Sequence, residues 1–269
     1  MPKSTHGAFV PCDRRFKLTQ LKQGERIDDL MRNGLKLIQR EDGFRFGTDS
    51  VLLADFALYG NTEYAVDLGT GSGILPILMA DAQPRAHFDA VELQEEAADR
   101  AARSVKMNGQ EEKITVHHMD MRRAPKELGY GKYTCCVCNP PYGKKESTLA
   151  SERENVRLAR HEGDISIEEI CKCAAQLLKN GGRFHVVFPA QRALELMNAM
   201  QSAHLAPKRV RLVEFMAGKT PKLILMDAVK GGGSQLHWMP TLVLFEDDGS
   251  PTAEYRRIYR MDDAQEKEK

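Results

Sequence analysis

From Tyr64 onward, short apolar runs alternate with longer segments that have the apolar spacing of helices. This alternation is typical of repeated βα units around a parallel sheet. The predicted strands are 64–67, 87–92, 113–119, 133–138 and 183–188. The predicted helices are 73–82, 94–108, 166–179 and 190–203, with Asn180-Gly181-Gly182 as the stop of the third. Two later apolar runs, 207–215 and 221–230, suit an antiparallel pair that closes a mainly parallel sheet.

The composition of the 269 residues limits the class of protein. A chain of this length can bury a core without disulfides or metals. Its net charge is only +1, so a nucleic acid would have to be bound through local basic patches. No apolar run is long enough to cross a membrane, and Met1–Cys12 contains no apolar signal core. We therefore expect a cytoplasmic protein with reduced cysteines.

A glycine-rich turn, Asp67-Leu68-Gly69-Thr70-Gly71-Ser72-Gly73, joins the first predicted strand to the next helix. Glycines allow a sharp turn and a close approach to a ligand, because no Cβ blocks either. Such a turn alone is a weak signal, since it also occurs in dinucleotide sites or as a plain tight turn. Glu92 ends the second strand, where a carboxylate can accept hydrogen bonds from both hydroxyls of a ribose.

The order of the glycines and the acidic Asp67 favour S-adenosylmethionine over a dinucleotide as the cofactor. The loop reads Gly-x-Gly-x-Gly and not the Gly-x-Gly-x-x-Gly of dinucleotide sites, and Asp67 would repel a pyrophosphate. S-adenosylmethionine, which carries positive charge and no phosphate, is the better ligand. Asp120 ends the third strand and is predicted either to accept a hydrogen bond from the cofactor's adenine or to cap a turn. Thr48 is a possible N-cap of a helix before the first strand.

The tetrad Asn139-Pro140-Pro141-Tyr142 follows the strand 133–138 and is the most informative string in the chain. Two prolines make a stiff loop that lacks two backbone donors, so its carbonyls are free to accept. The side-chain oxygen of Asn139 and the carbonyl of Pro140 can each take one N–H of a planar amine. Tyr142 offers a flat face on which a flipped-out base can stack. The plain alternative is a rigid loop that ends a core strand.

These motifs, in this order, resemble the class I S-adenosylmethionine-dependent methyltransferases that methylate amino groups. Within that class, the chain is most similar to the bacterial family that methylates N6 of the adenine beside the anticodon of valine tRNA. The likeness includes the upstream segment Phe46–Ala54 and the closing region from Gly218 to Gly232, and it covers most of residues 25–260.

The resemblance implies an α/β, Rossmann-like fold: a seven-stranded, mainly parallel sheet with helices on both faces and the last strand antiparallel. It also implies the site residues. The expected cofactor-binding residues are Thr48, Asp67, Gly69, Gly71, Gly73, Glu92, Asp120 and Asn139. The expected catalytic residues, which receive the target base, are Asn139, Pro140 and Tyr142.

Two other functions remain open. Protein glutamine methyltransferases that act on a release factor share the tetrad, although they carry a larger helical domain before the first strand than this chain has. The third hypothesis is an inactive methyltransferase-like module that only binds RNA or acts as a scaffold. The presence of Asp67, Glu92 and Asn139 favours an enzyme.

Composition divides the chain into three parts. The segment 1–24 is a basic arm, either a solvated tail or a contact for RNA. The methyltransferase domain is predicted to span 25–233, and 234–269 is predicted to be an appendage with a disordered charged tail. The segment 143–163 after the tetrad is rich in charge and is either a substrate-gating loop or a solvated connection.

Two further groups of residues have alternative explanations. A second basic group would suit phosphate contacts if its members shared a face with Tyr142. It consists of Lys208, Arg209, Arg211, Lys219, Lys222 and Lys230. The pairs Cys136/Cys138 and Cys171/Cys173 lack the usual zinc spacing, so we expect free thiols and no metal.

Overall fold

The computed structural model describes residues 21–41, 47–60, 62–141 and 165–261. Tyr142, the segment 143–163 and most of the basic arm lie outside the described residues, as does the end of the charged tail. The described residues form one central sheet with helices packed on both of its faces, and a small hairpin beside it.

The sheet contains the seven strands that the resemblance predicts. They are β3 (Tyr64–Leu68), β4 (His87–Glu92), β5 (Ile114–His118), β6 (Tyr133–Cys138), β7 (Leu178–Pro189), β8 (Leu205–Met216) and β9 (Leu223–Lys230). Their order in space is β8-β9-β7-β6-β3-β4-β5. The last strand, β9, is antiparallel to both of its neighbours, while the pairs from β7 to β5 are parallel. The predicted fold class is confirmed.

The helices cover both faces of the sheet. They are α1 (Thr48–Ala57), α2 (Ile74–Ala82), α3 (Glu95–Met107), α4 (Ala124–Leu128), α5 (Ile167–Leu177), α6 (Ala193–Ser202) and α7 (Ala253–Tyr259). One core cluster lies under α1, α2 and α7, and the other under α5 and α6. The strand β3 shows why: Ala65 packs into the first cluster and Val66 into the second. A parallel strand that is buried on both sides is therefore apolar at nearly every position.

The glycines after α5 have a different role from the one predicted. The helix ends at Leu177, and Asn180-Gly181-Gly182 lies inside β7 and is not a helix stop. Gly181 has φ of 77°, and the pairing of β6 with β7 shifts register between Tyr133 and Cys135. The glycines therefore form an irregularity in the strand, because only glycine adopts this φ at no steric cost.

A hairpin that the pattern did not predict precedes the sheet. Its strands are β1 (Glu25–Asp29) and β2 (Lys36–Arg40), which pair antiparallel. The β2 backbone is tied to α3, because Ile38 N–H donates to Ser104 Oγ at 3.0 Å. Ile38 itself is fully buried, so the hairpin is part of the packed domain.

The segment predicted as an appendage adds to the sheet and packs against α1. The short strands β10 (His237–Trp238) and β11 (Leu242–Phe245) both pair parallel with β8, which brings the sheet to nine strands. In α7, Arg257 forms an ion pair with Asp55 of α1 at 3.0 Å. None of the described helices is long and apolar enough to cross a membrane.

Candidate active site

The carboxyl ends of β3, β4, β5 and β6 meet at one edge of the sheet, and the predicted site residues from Asp67 to Pro140 lie at or directly after these ends. This is the edge at which open α/β sheets bind ligands. Asp67 is the second-to-last residue of β3, and Glu92 is the last residue of β4. Asn139 follows β6 directly, and Cys138 Sγ donates to Leu68 O at 3.0 Å. Asn139, the first residue of the tetrad, and the glycine turn are therefore neighbours.

The glycine turn is shaped by three left-handed residues. Gly69, Gly71 and Gly73 have φ of 78°, 58° and 88°. A Cβ on Gly71 would meet nothing within 4 Å, so glycine is needed there for its φ and not for space. At Gly73 a Cβ would lie 3.3 Å from Ala101 Cβ of α3, so that glycine also permits close packing. The turn leaves open space beside its backbone.

Asp67 is fully buried beneath this turn. Neither of its carboxylate oxygens has a hydrogen-bond partner among the residues that the structure describes, and the same holds for the hydroxyl of Thr70. Burial raises the pKa of Asp67 to about 7; the nearby side chain of Thr70 acts against this rise, and the charge of Glu92 adds to it. A buried carboxylate without partners is costly, and a cationic ligand would offset that cost.

Glu92 holds the turn in place in the structure. Its Oε2 accepts from Gly71 N–H and its Oε1 accepts from Gln94 N–H, both at 2.8 Å. The side chain thus ties the glycine turn to the start of α3. Each carboxylate oxygen has a second lone pair, so a ribose contact is compatible with this arrangement and stays a prediction.

Asp120 is a capping residue in the structure. Its Oδ1 accepts from Arg122 N–H at 2.9 Å and caps the 3₁₀ turn Met121–Arg123. The guanidinium of Arg122 also contacts both oxygens, which holds the pKa of Asp120 below its usual value. The cap that the sequence offered as an alternative is present, and a contact with the cofactor's adenine stays a prediction.

Asn139 is held by the start of α1. Its Nδ2 donates to Ser50 Oγ at 3.0 Å. The neighbouring Asp49 is buried, which raises its pKa, and hydrogen bonds from the Asn139 side chain and from Ser50 N–H act against that rise. Pro140 is buried and Pro141 is exposed. Sequence reasoning missed Asp49 and Ser50 as partners of Asn139; the only signal was an acidic and a hydroxyl residue before an apolar run.

The sequence suggested Thr48 as the N-cap of α1, and this prediction is wrong. The N-cap is Gly47, and Thr48 is the first helical residue, because the helix starts one residue earlier than a Thr48 cap would allow. Thr48 instead hydrogen-bonds to Tyr259 of α7. Its role in binding a cofactor stays a prediction.

The second basic group does not form one surface. Arg209 binds Asp227 at 2.5 Å and Arg211 binds Glu254 at 2.6 Å, so both guanidiniums are used inside the fold. Lys208 and Lys230 lie where β8 begins and β9 ends, and both donate hydrogen bonds to backbone carbonyls. Lys219 and Lys222 are exposed in the hairpin at the opposite end, which is the edge of the candidate site. The group as a whole therefore does not meet the condition of a shared face.

The five cysteines that the structure describes are free thiols inside the core, as expected. They are Cys135, Cys136, Cys138, Cys171 and Cys173, and all are buried. Burial raises the pKa of each thiol, so none is a reactive thiolate.

The chain is similar to known proteins at the level of sequence. A model of the methyltransferase small domain family matches residues 42–210. A tRNA1(Val) (adenine(37)-N6)-methyltransferase of Tolumonas auensis is 30% identical over 185 residues, which cover 68% of this chain and 75% of that protein. A protein of the same name from Bacteroides thetaiotaomicron is also 30% identical, with the same coverage.

Solved structures show the same fold. A crystal structure of a predicted O-methyltransferase, Atu636 from Agrobacterium tumefaciens, has a TM-score of 0.65 at 21% identity and covers 79% of this chain and 96% of its own. TYW2 of P. horikoshii, solved in complex with MeSAdo, has a TM-score of 0.54 at 16% identity, with 78% and 73% covered. At these identities the likeness concerns the architecture alone.

Proposed function

This chain belongs to the methyltransferase small domain family, and we propose that it methylates N6 of an adenine in tRNA, at the position next to the anticodon. It is an N-methyltransferase that uses S-adenosylmethionine. The observation that carries the proposal is that Asn139 and the glycine turn meet at one edge of the sheet, joined by the contact of Cys138 with Leu68. The names of the relatives supply the acceptor: adenine 37 of tRNA1(Val).

The residues at this edge fit S-adenosylmethionine. The cofactor carries an ammonium and a sulfonium, and Asp67 is a buried carboxylate without partners in the described part of the chain. The open space beside Gly71 allows a ligand to approach the backbone of the turn closely. The residues that we propose to hold the cofactor are Thr48, Asp67, Gly69, Gly71, Gly73, Glu92, Asp120 and Asn139.

The cofactor supplies an electrophilic methyl group on sulfur. Asn139 and Pro140 position the acceptor: the amide oxygen and the proline carbonyl each accept one N–H of the adenine amine. These two contacts favour a pyramidal nitrogen and stabilise the positive charge that develops on it. The proton leaves the nitrogen after transfer, when the amine has become acidic, so no dedicated base is required. Tyr142, outside the described residues, is proposed to stack on the base.

The test is incubation with radiolabelled S-adenosylmethionine and, in parallel, unmodified total tRNA and release factor, followed by nucleoside mass spectrometry. We expect label in tRNA as N6-methyladenosine. Label found only in release factor would replace this function by glutamine methylation. Binding of RNA without transfer and without cofactor affinity would indicate an inactive module.

The variant Asn139→Ala tests the role of the amide directly. We expect loss of at least about 100-fold in kcat, because the acceptor loses one of its two contacts and its alignment. Affinity for S-adenosylmethionine, measured by calorimetry, should fall much less than kcat does, because Asn139 is only one of the eight residues proposed to hold the cofactor. Undiminished turnover would contradict the central role of this side chain.

A further inference from the structure

Two residues of α1, Asp49 and Ser50, surround the amide of Asn139, and neither was assigned a role by the sequence. Ser50 Oγ accepts from Asn139 Nδ2 at 3.0 Å. The Asn139 side chain also hydrogen-bonds to the Asp49 carboxylate. Both partners are buried, with 8% and 5% of their surfaces exposed, so these contacts are shielded from water.

An asparagine amide has two ends of opposite chemistry, and its neighbours decide which end faces where. The nitrogen end has two donors and the oxygen end has two acceptor lone pairs. An ionised carboxylate has acceptors only, so it pairs with the nitrogen end and repels the oxygen end. Ser50 Oγ accepts from the same nitrogen and holds it in place, but a hydroxyl can also donate, so the carboxylate of Asp49 decides which end of the amide faces α1. The nitrogen end of Asn139 is therefore committed to α1.

We propose that Asp49 and Ser50 are positioning residues that fix the amide of Asn139 with its oxygen toward the acceptor, and so make the site selective for amines. The inference rests on the proposed function, in which that oxygen accepts an N–H of adenine. A flipped amide would present N–H groups to the N–H groups of the substrate and would repel it. The two residues act through Asn139 and do not need to touch the substrate.

The position of Asp49 is itself fixed by the backbone. Its Oδ1 accepts from Ser50 N–H at 2.9 Å, within the first turn of α1. A carboxylate at a helix N-terminus is also favoured by the helix dipole. The start of α1 thus holds the carboxylate, and the carboxylate holds the amide.

The test uses Asp49→Asn, Ser50→Ala and the conservative Ser50→Thr, with Ser104→Ala as a matched control. Ser104 is another buried serine whose Oγ accepts a hydrogen bond, but from Ile38 N–H, away from the site. At saturating S-adenosylmethionine, we expect kcat on unmodified tRNA to fall about 100-fold in Asp49→Asn and about tenfold in Ser50→Ala. Ser50→Thr restores kcat and Ser104→Ala leaves it unchanged. The Kd of S-adenosylmethionine changes less than about twofold in all four.

A second measurement does not depend on activity. With selective ¹⁵N-asparagine labelling, the side-chain signals of Asn139 are assigned by their absence in Asn139→Ala. We expect slow hydrogen exchange of this amide in the wild type, and exchange at least about tenfold faster in Asp49→Asn and in Ser50→Ala. Ser104→Ala should keep the slow exchange.

The outcomes separate the two proposals. If the wild type methylates tRNA and kcat is unchanged in Asp49→Asn and Ser50→Ala, the positioning role is overturned and the proposed function still holds. A weaker Kd for S-adenosylmethionine with unchanged kcat would also overturn it, by assigning these residues to the cofactor. If the wild type does not methylate tRNA, the function fails, and the exchange rates alone decide whether α1 fixes the amide.

Discussion

Asp67 and Asp227 are both fully buried carboxylates in the same sheet, yet their surroundings are opposite. Asp227, in β9, contacts Arg209 at 2.5 Å and Arg183 at 3.3 Å. His185 lies 3.9 Å away, and burial lowers its pKa to about 3, so it stays neutral. Asp67, at the end of β3, has no hydrogen-bond partner in the described part of the chain.

The difference shows how a buried charge can be assigned to structure or to function. A charge whose partners come from the fold itself, like Asp227, is part of the structure, because its removal would leave those partners buried without compensation. A charge that the fold leaves without a partner destabilises the ligand-free protein, and a bound cation removes that penalty. The same residue type therefore points to a site only when its partners are missing.

The largest expected effect comes from replacing each of the two aspartates by asparagine. In Asp67→Asn we expect binding of S-adenosylmethionine to weaken by about 3–5 kcal/mol, because a buried charge pair loses one partner. In Asp227→Asn we expect the same loss of about 3–5 kcal/mol to appear in the free energy of unfolding, because Arg209 is left buried without its carboxylate. Calorimetry and urea denaturation measure the two quantities.

Each variant is the control for the other. Asp67→Asn should keep or raise the free energy of unfolding of the ligand-free protein. The folded fraction of Asp227→Asn should bind the cofactor with the affinity of the wild type. If Asp67→Asn unfolds the protein, or if Asp227→Asn abolishes cofactor binding, the contrast between a structural and a functional carboxylate is lost.

A smaller effect concerns pH. The pKa of Asp67 is raised from 3.8 to about 7 by burial, so the folded protein holds this proton more tightly than the unfolded chain does. Stability of the ligand-free protein therefore decreases as the pH rises from about 4 through 7. Because a cationic cofactor prefers the ionised carboxylate, its affinity should rise by about 2 kcal/mol between pH 5.5 and 7 and then level off.

Titration calorimetry at several pH values measures this dependence. Below pH 7, binding should also release about one proton, which shows as an enthalpy that depends on the buffer. Asp67→Asn should remove both effects. An affinity that is constant over this range in the wild type would show that Asp67 does not take up the charge of the cofactor.

The smallest effect is expected at the surface. Arg257 pairs with Asp55 at 3.0 Å, but its side chain is 59% exposed, whereas that of Arg209 is only 12% exposed. Arg257→Ala should lower the free energy of unfolding by less than about 1 kcal/mol, and the loss should shrink in high salt. Urea denaturation at two salt concentrations checks this. If Arg257→Ala lowered the free energy of unfolding as much as Asp227→Asn does, the loss of stability would depend on the ion pair alone and not on its burial.

The core of the fold was predictable because its signals are local. The strands β3 to β6 lie within one or two residues of their predicted bounds, since buried parallel strands are short apolar runs that end at glycine or polar residues. The hairpin of β1 and β2 was missed because its sequences are polar and short. Gly181 misled the prediction, because a glycine after a helix can end it or shape the following strand, and only the strand pairing distinguishes the two.

The placement of Asp67, Glu92 and Asn139 at one edge of the sheet was predictable, but the contacts of these residues were not. The position of Asp67 and Glu92 at strand ends followed from the pattern, because parallel strands bring their carboxyl ends together. The bond from Gly71 N–H to Glu92, and the bond from Asn139 to Ser50, join residues far apart in the chain. A single sequence contains no signal for such pairs. The surroundings of the second basic group could not be predicted for the same reason: Arg209 pairs with Asp227, and the spacing of the basic residues does not reveal this pairing.

The helix that holds Asn139 is itself supported by the far end of the chain. Asp55 of α1 meets Arg257 of α7 across 202 residues, and Arg32 donates to the carbonyl of Ile258 at 2.5 Å. During synthesis, α1 leaves the ribosome long before this support exists. A polypeptide released early, before α7, would contain Asp67, Glu92 and Asn139 and still lack the brace behind α1. Translation through α7 thus completes the packing behind the helix that holds Asn139.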